Sequence, residues 1–152
     1  MPQPIKRHPA LQPLSREHHH ILLLGFKIRQ GLKLKIEHQR IFDYCVWFYA
    51  SYILLHFEKE EHFFKHILGE QSEELLKLKQ NHTNVIHAFQ HLKPSYSDLK
   101  SLEELIVSHV RLEERVLYQE LQAKLTPEAI LYLKANLKEL DFQERFKDVF
   151  WS

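Results

Sequence analysis

The hydrophobic pattern of the chain is helical over most of its length. No proline occurs between Pro13 and Pro94, and apolar residues recur there at every third or fourth position. This spacing puts apolar side chains on one face of an α-helix and polar side chains on the other. The pattern predicts four long amphipathic helices, at about residues 13–31, 37–68, 72–94 and 98–124.

Capping residues mark the ends of these predicted helices. Ser, Thr and Asp side chains accept hydrogen bonds from the free N–H groups of a first turn, and Gly ends helices because it adopts positive φ. The predicted N-caps are Ser15, Ser72 and either Ser97 or Asp98, and the predicted C-terminal stops are Gly31 and Gly69.

Short connections force neighbouring helices to run antiparallel. We therefore predict an all-α fold, an up-down-up-down four-helix bundle over residues 1–125, with an additional C-terminal helical segment over residues 126–152 packed on it. In that extension Thr126 caps a fifth helix, from Pro127 to about Lys138. The spacing of the aromatic residues beyond it leaves two alternatives open, a short helix packed on the bundle or a homodimer contact, made by Phe142, Phe146 and Phe150.

Composition narrows the class of protein. The chain has 152 residues, 44% hydrophobic and 27% charged, with 21 Lys and Arg against 20 Asp and Glu, which is typical of one soluble domain without the basic excess of nucleic-acid binders. The single Cys45 excludes an internal disulfide and clusters of thiolate ligands. No apolar run of about 18 residues is present, so no membrane segment is expected. No secretory signal pattern is present either, so a cytoplasmic location is expected. Twelve His residues are the unusual feature.

Helical phase, at about 100° per residue, separates these histidines into two groups. Six are predicted to lie on polar faces or in loop-like segments: His8, His38, His62, His66, His87 and His91. Four lie near the middle of an apolar stripe, one in each predicted helix of the bundle: His18, His56, His82 and His109. His18 is preferred to its neighbours His19 and His20 because it shares a face with Leu14 and Ile21.

Two of the inward histidines are followed four residues later by glutamate. Glu60 and Glu113 share a helix face with His56 and His109, respectively. Two buried carboxylates cost several kcal/mol unless a cation compensates them, and Lys59 and Arg111 are predicted to point away from the stripes. Hydrogen-bonded core histidines and solvated charge pairs are the alternatives, but the inward phases favour a metal centre.

Three fragments and the third-helix His82 carry a resemblance to a known family. They read LSREHH (14–19), HFEKEE (56–61) and HVRLEER (109–115). In these fragments the chain resembles the hemerythrin-like, HHE cation-binding family. The resemblance implies a four-helix bundle around a non-haem di-iron centre, with His18, His56, His82 and His109 as terminal ligands and Glu60 and Glu113 as bridging ligands.

The sequence departs from the oxygen-carrying hemerythrins at two positions. Those proteins have a second His in helix 3, where this chain has Ile86, and an Asp in helix 4 at the position of Glu114, whereas phase favours Glu113. One metal is therefore expected to be under-coordinated. Water, hydroxide or a further carboxylate are the candidates for the open position.

The donor types suit iron, and also zinc or manganese. An apolar wall is expected to admit dioxygen or nitric oxide but not bulky substrates; it comprises Phe42, Tyr49, Ile53, Leu78, Ile86 and Val116. The leading hypothesis is a di-iron protein for oxygen, nitric oxide or redox sensing, or for iron handling, rather than an enzyme. The alternatives are a di-iron enzyme that reduces peroxide or nitric oxide or supplies iron for cluster repair, and a metal-free helical interaction module.

Overall fold

The regular secondary structure is helical throughout the part of the chain that the computed structural model describes, residues 6–144 and 146–152. A 3₁₀ turn, Pro9–Leu11, precedes the α-helices, which are α1 Gln12–Lys33, α2 His38–Phe48, α3 Leu54–Leu68, α4 Glu73–Gln90, α5 Tyr96–Leu112, α6 Tyr118–Ala123 and α7 Pro127–Asn136. The predicted all-α class is confirmed. Among the described residues no helix has the length and apolar character to cross a membrane.

Two π-helical turns interrupt otherwise continuous helices. Tyr49–Ile53 joins α2 to α3, and Glu113–Leu117 joins α5 to α6. In each turn a backbone N–H bonds to the carbonyl five residues earlier, from Leu54 to Tyr49 and from Tyr118 to Glu113. Because a π turn holds one residue more than an α turn, it shifts the phase of the residues that follow.

The helix caps follow the sequence pattern in part. Ser72 and Thr126 cap α4 and α7 as predicted. The predicted cap at Ser15 is wrong, because α1 begins at Gln12 and the Ser15 hydroxyl donates to Glu114 instead. The predicted cap at Ser97 or Asp98 is also wrong, because the extended backbone after Pro94 lets Ser95 accept the N–H of Asp98, 3.2 Å away.

The two predicted glycine stops have different roles. Gly69 ends α3 with φ of 92°, a left-handed conformation that favours glycine. Gly31 does not end α1, which continues to Lys33. A Cβ at Gly31 would lie 2.8 Å from the Phe150 ring and 2.9 Å from Ile41, so this glycine makes room for the C-terminal residues.

Helix contacts form a closed circuit, because α1 contacts α5, α5 contacts α4, α4 contacts α3, and α3 contacts α1. The enclosed apolar residues form two clusters, and a polar layer lies between them. Each of two helices passes from one cluster through a histidine to the other, in the order Leu14, His18, Ile21 on α1 and Leu78, His82, Val85 on α4.

Residues 137–144 and 146–152, here called the C-terminal strap, contain no helix, so the short helix predicted there is wrong. The strap nevertheless lies against the helical body, with Phe150 buried and Phe142 and Phe146 half-buried against the first cluster. Several of its polar groups bond to the helices: the Leu140 N–H, for example, donates to Glu17. These tertiary contacts replace the hydrogen bonds that a helix would make.

Candidate metal centre

The structure brings together all six residues predicted for the site. They form two groups of four, in which one ligand atom per residue lies within 4.8 Å of the others: His18, His56, Glu60 and Glu113, and Glu60, His82, His109 and Glu113. Two donors on opposite sides of one ion are separated by roughly 4.2 Å, twice a metal–nitrogen bond, so each group is close to coordinating dimensions. Every member is buried.

The two groups share both carboxylates and divide the four histidines equally. The structure offers two imidazoles and the same two carboxylates at each position, and the expectation of an open coordination position stays a prediction. Ile86, at the position where the oxygen-carrying hemerythrins have a second His, packs half-buried against the first apolar cluster.

All four imidazoles direct Nε2 toward the carboxylates. His18 Nε2 lies 2.8 Å from Glu113 Oε2, and His109 Nε2 lies 2.9 Å from Glu113 Oε1. His82 Nε2 lies between both carboxylates, 3.0 Å from Glu60 Oε1 and 3.1 Å from Glu113 Oε1. His56 Nε2 is 3.1 Å from Glu60 Oε1.

Each imidazole uses its other nitrogen, Nδ1, on a partner outside the site. The distances from Nδ1 to the partner are 2.9 Å for His18 with Glu114, 2.6 Å for His56 with Glu17 and 2.7 Å for His82 with Glu61. His109 Nδ1 differs from these three, because it lies 2.6 Å from the Asn81 amide nitrogen, Nδ2, which donates to it. An Nδ1–H held by a carboxylate leaves the Nε2 lone pair facing inward and makes it a better donor to a metal.

Two buried nitrogens test whether the residues fit a metal ion. His56 Nε2 and His109 Nε2 are inaccessible to solvent and make no hydrogen bond, although a carboxylate oxygen is close to each. A buried polar atom without a hydrogen bond is costly and calls for an explanation. The four-imidazole, two-carboxylate donor set is one that iron, manganese and zinc accept, so the site fits a metal.

The charges of the site compensate one another in the protein alone. Burial disfavours an ionised carboxyl, but the imidazoles, His56 first, outweigh burial and hold the pKa of Glu60 well below its usual value. Burial likewise disfavours charged imidazoles, but adjacent carboxylates raise the pKa of His18 and His82 well above the usual value. A bound cation therefore has to displace protons from these nitrogens.

Tyr118 is a site residue that the sequence reasoning missed. Its buried hydroxyl donates to Glu60 Oε2 and lies 3.4 Å from His18 Nε2, and its ring stacks on the His18 ring with centroids 5.2 Å apart. Burial and the nearby carboxylates raise its pKa well above the usual value. The π turn brings Tyr118 above Glu113; in an uninterrupted α-helix these residues would be about 140° apart.

Lys59 lies closer to the site than predicted. Its ammonium group contacts Glu17 Oε2 at 2.6 Å, and Glu17 in turn holds His56. On the opposite side Arg7 pairs with Glu114 at 2.8 Å. Both cations neutralise outer carboxylates rather than the shared pair, Glu60 and Glu113.

The sequence contains one signal for the carboxylates that hold the Nδ1 atoms, namely their position next to a predicted ligand. Glu17, Glu61 and Glu114 are each adjacent in sequence to a predicted ligand, so each lies on the flank of the inward face. Asn81 likewise precedes His82, but it bonds to His109 on another helix, which no local pattern indicates.

The remaining histidines do not join the centre. His19, His62, His66, His87 and His91 are exposed, and His8, His20 and His38 are half-buried. The His8 side chain accepts the N–H of Ala10 and caps the 3₁₀ turn. Helical phase therefore separated the inward imidazoles from the outer ones and chose His18 over His19 and His20.

The predicted apolar wall is buried only in part, because Phe42, Tyr49 and Ile86 are half-buried. Val116 is 39% exposed because it lies in the π turn. Ile53 and Leu78 are buried as expected.

Comparisons of this chain with protein-family models, with curated proteins and with solved structures found no match.

Proposed function

We propose that this protein binds two metal ions at the His and Glu centre. The observation that carries the proposal is the pair of four-residue groups that share Glu60 and Glu113. The four inward Nε2 atoms divide into two pairs, one in each group, and shared carboxylates are suited to bridge neighbouring ions. Each histidine would be a terminal ligand.

We further propose that the ions are iron and that the protein is a hemerythrin-like four-helix bundle. The closed circuit of contacts among α1, α5, α4 and α3 supports the bundle. Imidazole with carboxylate and without thiolate supports iron, while zinc and manganese also accept this donor set.

The proposed role is binding of dioxygen or nitric oxide, for sensing, or iron handling. The centre lies between two apolar clusters, and its ligands are at most 2% exposed, which favours small diatomic molecules over larger ones. When bound, two ferrous ions would supply the positions and the electrons with which such molecules interact.

Metal analysis of protein purified without a His tag, before and after anaerobic iron loading, tests the proposal. We expect about two equivalents of iron and a change in the visible spectrum on exposure to oxygen or nitric oxide. Less than about half an equivalent of any transition metal after loading would overturn the proposal. Bound iron without any spectral change would remove the gas-binding role and leave iron handling.

A second candidate function is reduction of peroxide or nitric oxide. Tyr118 favours it, because its buried O–H lies beside Glu60 and His18 and provides a proton at the centre. Turnover with an external reductant, compared between the wild type and Tyr118→Phe at equal iron content, tests this candidate. No turnover in the wild type would reject it; a slower Tyr118→Phe variant would support it.

A further inference from the structure

Glu17 links the candidate metal centre to the C-terminal strap. Its carboxylate is fully buried on α1, next to His18. On one side Oε1 accepts the Nδ1–H of His56 at 2.6 Å; on the other, Oε2 accepts the backbone N–H of Leu140 at 2.7 Å and the Lys59 ammonium at 2.6 Å. One carboxylate therefore holds a candidate ligand and the strap at once.

Lys59 strengthens this link from the helix side. Besides Glu17, its ammonium group donates to the backbone carbonyl of Lys138, two residues before Leu140. The strap thus gives a backbone acceptor and a backbone donor to the same small cluster. Both groups are available because the strap is not helical.

Ion pairs and an aromatic contact also clamp the strap to α1 and α2. Three ion pairs hold it, Arg16 with Glu139 at 2.5 Å, Lys27 with Glu144 at 2.7 Å and Arg40 with Asp148 at 2.7 Å. At its far end Phe150 fills the space left by Gly31 and packs edge-on against Tyr44. These contacts involve none of the six candidate ligands.

We propose that Glu17 is a positioning residue that couples docking of the C-terminal strap to the orientation of His56, so that metal binding and strap closure reinforce each other. When the strap undocks, this buried carboxylate loses the Leu140 N–H and Lys59 loses the Lys138 carbonyl, so the Glu17–Lys59 pair rearranges and the hydrogen bond that orients His56 changes with it. Coupling of this kind is reciprocal: whatever factor strap docking adds to metal affinity, bound metal adds to strap docking. The inference rests on the metal binding proposed above.

Zn²⁺, which has no redox chemistry, is the probe for the first arm of the test. Its affinity is measured by competition with a chelator for the full-length wild type, Glu17→Gln, Phe150→Ala and Leu99→Ala. Glu17→Gln is expected to bind about 10–100-fold more weakly, as for other groups that orient metal-bound histidines. Phe150→Ala is expected to bind at least about fivefold more weakly, although it removes only a distant strap contact.

Leu99→Ala is the matched control, because Leu99 is fully buried in the same apolar cluster but lies outside the strap, ten residues before His109 on α5. It is expected to leave Zn²⁺ affinity unchanged. Asp148→Asn serves if Phe150→Ala does not fold, because it removes only the partly exposed pair with Arg40. It is expected to weaken Zn²⁺ binding in the same direction.

Hydrogen exchange of the strap amides is the second arm. Zn²⁺ is expected to slow exchange at residues 138–144 in the wild type but not in Glu17→Gln. Three results would overturn the coupling and leave metal binding intact. They are wild-type Zn²⁺ affinity in the strap variant that folds, a loss of Zn²⁺ affinity in Leu99→Ala equal to that in the strap variant, and hydrogen exchange of the strap amides that does not change with Zn²⁺. A wild type that binds no Zn²⁺ and no iron would instead overturn the proposed function, and the coupling with it.

Discussion

The sharpest test of the proposed centre is the replacement of His82 by alanine. His82 belongs to only one of the two groups, where its Nε2 lies 3.0 Å from Glu60 and 3.1 Å from Glu113. The substitution removes one of two imidazoles at that position and leaves all four donors of the other group in place. The variant is therefore expected to bind about one ion where the wild type binds about two.

The effect on stability follows from mass action. An ion that binds only the folded protein stabilises it by about 2.7 kcal/mol when its free concentration is 100 times its Kd. Two such ions give about 5 kcal/mol, which raises the Tm of a chain of this size by about 10–20 °C. His82→Ala is expected to keep about half of this rise, because one position remains.

The assay compares metal content and the rise in Tm on metal addition, each variant against its own metal-free form. This comparison cancels any loss of stability that the substitution causes by itself. His87→Ala is the matched control, since His87 lies on the same helix but is exposed and stacks on His91 with ring centroids 4.1 Å apart. Equal metal loss in the two variants, or two ions retained by His82→Ala, would refute the assignment.

Three other outcomes are expected. Glu113→Gln removes a carboxylate common to both groups, so metal analysis should find both ions lost, and retention of one ion would contradict the sharing. Thermal unfolding of the metal-free protein should show greatest stability between pH 4.5 and 6.5. The raised pKa of His18 stabilises the folded protein fully below pH 6.5, and this stabilisation is lost at higher pH; the lowered pKa of Glu60 stabilises it fully above pH 4.5, and this stabilisation is lost at lower pH. An optimum above about pH 8 would contradict this. Ser95→Ala should cost about 1 kcal/mol in chemical unfolding and Ser97→Ala almost nothing, and the reverse order would contradict the cap seen at α5.

The six central residues could be predicted from sequence because regular α-helix carries them. His18 and His82 lie within uninterrupted helices. His56 and Glu60 both lie within α3, and Glu113, four residues after His109, directly follows the last residue of α5. Over such distances the rotation of about 100° per residue identifies the inward face.

The residues that escaped prediction depend on phase shifts or on tertiary contacts. Tyr118 follows a π turn that no local sequence pattern predicts. Glu17 lies on the flank of its helix, and its contact with the strap at Leu140 is a tertiary one. The four-residue spacing of Phe142 and Phe146 suggested a helix, but contacts with the helical body determine the backbone there.

The π turn Glu113–Leu117 has a consequence for the number of residues that this helix can contain. Its extra residue sits on the outside of the helix, where Arg115 and Val116 are exposed. Removing either one would convert the turn to α-helix and place Tyr118 four residues after Glu113, again on the same face. A single-residue deletion shifts the register of an ordinary helix, but here it should preserve the contact between the Tyr118 phenol and Glu60. This helix can therefore lose one residue and keep the same arrangement of side chains at the centre.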